Sequence, residues 1–146
     1  MIGARPARAL AIVTCMDARI DLLAAMGLSH GDAHILRNAG GVITEDVIRS
    51  LAVSQRALGT TRVMIVHHTD CGLMRLDEEE FRDELTRDAG VEPPFALHAF
   101  TDAEANVRAS IARVRASPFL PYRDEVRGFV YDVASGTVRE VSAPRD

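Results

Sequence analysis

Three side chains have types and spacing suited to chemistry at one point: Cys15, His68 and Cys71. The chain contains only two cysteines, separated along the sequence and outside any CxxC pair. Such thiols are core residues, a disulfide pair, or ligands and nucleophiles. His68-Thr69-Asp70-Cys71 places an imidazole and a thiol three positions apart, a weak signal by itself. Joined by Cys15, it becomes a Cys₂His set, a donor combination used by catalytic zinc sites that keep a fourth tetrahedral position open. Thiolate and imidazole donors suit zinc far better than magnesium or calcium.

For these residues to meet, the elements that carry them must end at the same place. Ala9–Thr14 reads as a first strand, delivering Cys15 at its carboxyl end, and His34–Leu36 as a short second one. Arg62–His67 reads as a third, apolar through its middle as a strand covered on both faces would be. It delivers His68 and Cys71. Helical patterns alternate with these strands. Asp21–Met26 ends at Gly27, and Thr44 caps a helix whose Val47, Ile48, Leu51 and Leu58 share a face before Gly59. Asp77–Asp88 reads as an acidic helix with Phe81 and Leu85 inward, and Gly90–Pro94 as a loop. Asp102 caps a further helix with Val107, Ile111 and Val114 on its inner face, ended by Pro118. The segments 128–133 and 137–141 flank Ala134-Ser135-Gly136 as a hairpin. The expected fold is therefore α/β: a mainly parallel central sheet flanked by helices, with an antiparallel C-terminal edge hairpin. In such sheets ligands bind outside the carboxyl ends of the strands, where both cysteines fall.

Composition narrows the class of partner. At 146 residues, 47% hydrophobic and 26% charged, the chain is expected to form one soluble domain over residues 1–146. A net charge of −4 and no long basic run argue against nucleic acid. The early apolar run 9–13 is far short of the ~20 residues of a membrane span, so no membrane association and a cytoplasmic location are expected.

Cys15-Met16-Asp17-Ala18-Arg19, Arg37-Asn38-Ala39-Gly40-Gly41 and His68-Thr69-Asp70-Cys71-Gly72 together resemble the CxDxR, RNAG and HxxC motifs of β-class carbonic anhydrases, most closely the short bacterial and mycobacterial-like branch. The resemblance spans nearly the whole chain. It implies one Zn²⁺ per chain on Cys15, His68 and Cys71. It implies reversible hydration of carbon dioxide to bicarbonate and a proton, with zinc hydroxide as nucleophile. Asp17 and Arg19 would be catalytic: Asp17 accepts a hydrogen bond from the hydroxide and orients its lone pair, while Arg19 holds Asp17 ionised. In a rival closed state Asp17 is itself the fourth ligand. Asn38, Ala39 and Gly40 would line the pocket for a small apolar substrate.

The resemblance also implies a homodimer or higher homo-oligomer with sites at the subunit interface. Family members carry an N-terminal helical arm, whereas here the first strand begins near residue 8. Related scaffolds hydrolyse carbon disulfide or carbonyl sulfide, and a non-catalytic zinc protein closed by Asp17 is the other reading. His67 adjoins His68 but belongs to the other strand face, so the HxxC spacing selects His68. His30, His34 and His98 receive no role, and Asp70 is expected to orient a ligand from behind.

Overall fold

The computed structural model describes residues 1–144. Five strands form one sheet in the order β2-β1-β3-β4-β5: β1 Leu10–Cys15, β2 Ala33–Asn38, β3 Arg62–His68, β4 Val126–Tyr131 and β5 Val138–Val141. The first four run parallel and β5 pairs antiparallel to β4, the expected architecture. The expected His34–Leu36 strand extends to Asn38, because the whole of β2 pairs in register with β1, from Leu10 opposite Ala33 to Cys15 opposite Asn38.

The helices begin and end where their local chemistry dictates. Asp21 caps α1 (Leu22–Met26) through the Ala24 N–H, and Gly27 ends it at φ 65°, where a side chain would be strained. Thr44 caps α2 (Glu45–Arg56), its hydroxyl accepting from the Val47 N–H at 3.2 Å, with Glu45 and Asp46 at the positive end of the helix dipole. α3 (Gly72–Arg75) is a single turn after Cys71. α4 (Glu78–Ala89) buries none of its residues fully, and Phe81 and Leu85 are only half-buried. α5 (Ala103–Ala116) turns Val107, Ile111 and Val114 inward as its periodicity predicts.

The sheet is covered on both faces. One apolar cluster joins Ala11, Val13, Val63 and Ile65 to Leu51 of α2 and to Val107 and Ile111 of α5. The other joins Leu10, Ile12 and Val66 to Leu22 of α1, and it reaches Cys15 and Cys71. Gly128 on β4 permits the α5 contact: a Cβ there would lie 2.2 Å from Val107 Cγ1 and 2.8 Å from Ile111 Cδ1. Gly128→Ala should therefore lower unfolding stability by ~1–3 kcal/mol through overpacking, measured by urea denaturation. An unchanged midpoint would show that α5 yields freely.

Candidate active site

β1 and β3 are neighbours, and their carboxyl ends bring the three sequence-selected donors together. Cys15, His68 and Cys71 are 5%, 1% and 2% exposed. Their ligand atoms all lie within 4.8 Å of one another, a set able to hold a metal ion. His68 is prepared as a donor: its Nδ1–H donates to the Thr69 carbonyl at 2.7 Å, which leaves the Nε2 lone pair bare. That Nε2 is buried and has no hydrogen-bond partner. A buried orphan nitrogen is costly, and a cation facing it and two sulfurs would remove the cost.

The thiols are unequal. The neighbouring Cys71 thiol, with help from His68 and the main-chain N–H groups of Asp17 and Gly40, pulls the Cys15 thiol well below its ordinary range, against the opposing effect of burial. Gly40 N–H lies 3.3 Å from Cys15 Sγ. Cys71 is pushed up, first by the neighbouring Cys15 sulfur and then by burial. His68 is desolvated, yet the neighbouring Cys15 sulfur and Thr69 carbonyl outweigh burial and raise its pKa.

The turn that supplies the Gly40 N–H is a short 3₁₀ segment, Ala39–Gly41, after β2. Gly40 and Gly41 have φ of 84° and 63°. A Cβ on Gly41 would come within 2.9 Å of the Cys15 nitrogen, so only glycine fits there. Asn38 holds the turn from inside: its Nδ2 donates to the Val42 carbonyl at 2.9 Å and its Oδ1 accepts from the Val42 N–H at 3.0 Å.

Asp17 faces the donor set, with Oδ2 3.9 Å from His68 Nε2. Arg19 grips this carboxylate with three donors: its main-chain N–H at 2.8 Å, Nε at 3.0 Å and Nη2 at 2.7 Å. The grip holds the Asp17 carboxyl below the usual carboxylate range. Behind it, Arg19 also donates to the Asp70 side chain at 3.0 Å and to the Asp70 carbonyl at 2.9 Å, and Arg75 pairs with Asp70 from outside. Asp70 thus orients Arg19, not a thiolate or imidazole. His34 bonds Ser54 and the Ala4 carbonyl, an ordinary satisfied histidine.

Arg37 stands first in the Arg37-Asn38-Ala39-Gly40-Gly41 motif, yet sequence reasoning gave it no role. Its Nε donates to the Cys15 carbonyl and its Nη2 to the Asp17 carbonyl, both at 2.8 Å, fastening the strand end that carries both residues. The signal was its place at the head of that motif, but its partners are main-chain oxygens, which the motif does not name.

Such an arrangement, a Cys₂His donor set with a restrained carboxylate at the carboxyl ends of parallel strands, defines an α/β protein with a candidate metal centre. A family model for carbonic anhydrase matches residues 10–138. Beta-carbonic anhydrase 1 of Mycobacterium tuberculosis is 44% identical over 137 residues, covering 94% of this chain and 84% of that protein. A carbon disulfide hydrolase of Saccharolobus solfataricus is 32% identical, covering 91% of this chain and 77% of that protein. The crystal structure of a carbonic anhydrase from Streptococcus mutans superposes with a TM-score of 0.91 at 46% identity, over 97% of this chain and 86% of that one. The chain belongs to the carbonic anhydrase family, in its β class.

In the metal-free protein, Cys15 should be a thiolate at about pH 7, below the ordinary thiol range near ~8.5, while Cys71 keeps its proton. Ultraviolet titration of thiolate should detect one thiolate at neutral pH, lost in Cys15→Ser. Cys71→Ala should shift its onset upward. Onset only in the ordinary thiol range in the unsubstituted protein would contradict this asymmetry.

Proposed function

We propose that the chain is a zinc carbonic anhydrase, catalysing reversible hydration of carbon dioxide to bicarbonate and a proton. Cys15, His68 and Cys71 would hold the metal, Asp17 and Arg19 would be the catalytic pair, and the 38–40 turn would border the substrate pocket. The observation that carries this reading is the restrained Asp17 carboxylate facing a buried Cys₂His set. When bound, zinc supplies Lewis acidity that brings the acidity of a water near neutrality and so provides a nucleophile.

The protein's own groups supply orientation. Ionised Asp17 is an acceptor only, so it takes a hydrogen bond from the O–H of the nucleophile and leaves an oxygen lone pair directed toward carbon dioxide. Arg19 keeps Asp17 ionised and fixes both of its oxygens. A closed state with Asp17 as fourth ligand would require the carboxylate to leave at least part of this three-donor grip, which favours the open reading. Gly40 adds little bulk beside the site, and its N–H serves Cys15.

The wider reading treats residues 1–146 as one functional unit working as a homodimer or higher homo-oligomer in the cytoplasm. Met16, beside Cys15, is 66% exposed and offers apolar surface for a partner subunit at the site. Among the described residues no helix is long and apolar enough to cross a membrane. The relative named as a carbon disulfide hydrolase makes that sulfur analogue the second substrate to assay.

Stopped-flow hydration of carbon dioxide by zinc-loaded protein above about pH 8, where a metal-activated water is ionised, should exceed the buffer rate. Turnover of carbon disulfide alone would replace the leading reading with the second. Asp17→Asn should retain one zinc per chain yet lose activity by ~10²-fold or more, and Cys15→Ala should lose stoichiometric metal. Full activity in the first variant, or full zinc in the second, would show the roles to be misassigned.

A further inference from the structure

His67, the residue beside the candidate metal ligand His68, is 1% exposed and lies outside the donor set. Its Nε2 is 3.1 Å from the Gly41 carbonyl. A carbonyl can only accept, so Nε2 must carry the proton and donate. Nδ1 is then a bare lone pair, buried and without a hydrogen-bond partner. The ring stacks on Phe100, centroids 5.7 Å apart and planes 22° from parallel. Phe100 also reaches the turn, with Cε1 3.4 Å from where a Gly40 Cβ would sit.

A core position filled only for packing would favour an apolar side chain, since this histidine leaves one buried nitrogen unpaired. What the polar ring provides is a bond from β3 to the Ala39–Gly41 turn. The two glycines there have positive φ, and the turn is free of regular sheet pairing, so its position depends on such contacts. Its product is the Gly40 N–H directed at Cys15 Sγ.

We propose that His67 is a positioning residue for the metal centre: through the Gly41 carbonyl, and backed by Phe100, it fixes the turn that presents the Gly40 N–H to Cys15 sulfur. That N–H withdraws electron density from the thiolate and so sets how strongly Cys15 donates to the metal. The proposal rests on the metal-site reading above.

The test uses the full chain loaded with cobalt(II) or zinc, and it reads the metal and not turnover. His67→Phe keeps a ring on Phe100 but removes the donor, whereas His67→Gln keeps an N–H donor. His67→Phe should bind zinc ~10–100-fold more weakly, because the turn no longer holds Cys15 in place, and move the thiolate-to-cobalt charge-transfer band to lower energy, because the sulfur regains electron density, while His67→Gln recovers most of both. Unchanged affinity and band position in His67→Phe would overturn the proposal, as would a His67→Gln variant no better than His67→Phe. Nitrogen NMR of the unsubstituted protein, which needs no variant to fold, should find His67 neutral with its proton on Nε2, and a proton on Nδ1 would equally overturn it. Failure of the unsubstituted protein to bind either metal would instead sink the metal-site reading itself.

Discussion

Two sulfurs and an imidazole nitrogen lie buried within 4.8 Å of one another, and the strand ends that carry them must balance the charge this set develops. Buried thiolates are expensive unless donors or a cation face them. The fold answers with main-chain groups, which cost no side-chain entropy to place. The Gly40 N–H faces Cys15 sulfur, and the Thr69 carbonyl holds the His68 ring in the tautomer that leaves Nε2 free. Each depends on backbone whose path is set by a neighbouring strand, so the donor geometry inherits the rigidity of the sheet.

That rigidity comes from parallel pairing. β1 is hydrogen-bonded to β2 on one side and β3 on the other, with Thr14 opposite both Arg37 and Val66. Thr14 reinforces the second seam by donating its hydroxyl to the Val66 carbonyl at 2.8 Å, a buried bond one residue before Cys15. Arg37 closes the first seam on the Cys15 and Asp17 carbonyls. The loop that presents Asp17 is thus tied down before any metal contributes.

Much of this was legible from residue types. Strand and helix positions followed from hydrophobic period and caps: Thr44 and Asp102 cap the helices their positions announce, while Asp77, read as the first residue of its helix, is its cap. The donor triad was legible because strand ends of a parallel sheet converge. What the sequence concealed were bonds to main-chain atoms and contacts from irregular segments. Arg37 acts on carbonyls, Asn38 spends both ends of its amide on the Val42 backbone, and Phe100 reaches His67 from a stretch without regular structure. Arg37 and Asn38 stood in a recognisable motif, but neither period nor spacing names their backbone partners, and Phe100 left no such signal at all. His67 could be assigned to the opposite face from His68 by strand alternation, but its partner Gly41 is 26 residues away in sequence.

From the site outward runs a relay of charge: Asp17, Arg19, Asp70, Arg75, with side-chain exposures of 16%, 45%, 40% and 76%. Exposed ion pairs contribute only ~0–1 kcal/mol each, so the outer members add little to folding stability. Their effect is geometric. Asp70 adopts φ 54°, a left-handed backbone that turns its carbonyl and its carboxylate onto the same guanidinium. Arg19 therefore has two acceptors on the Asp70 side opposing two on Asp17, and its fork cannot rotate without losing both. The depressed Asp17 carboxyl contributes its full stabilisation above the ordinary carboxylate range, and that contribution is lost progressively as pH falls below it. Because Arg19 is nearly half exposed, solvent screens much of the energy. The orientation survives that screening, since it is set by hydrogen-bond direction and not by Coulomb attraction alone.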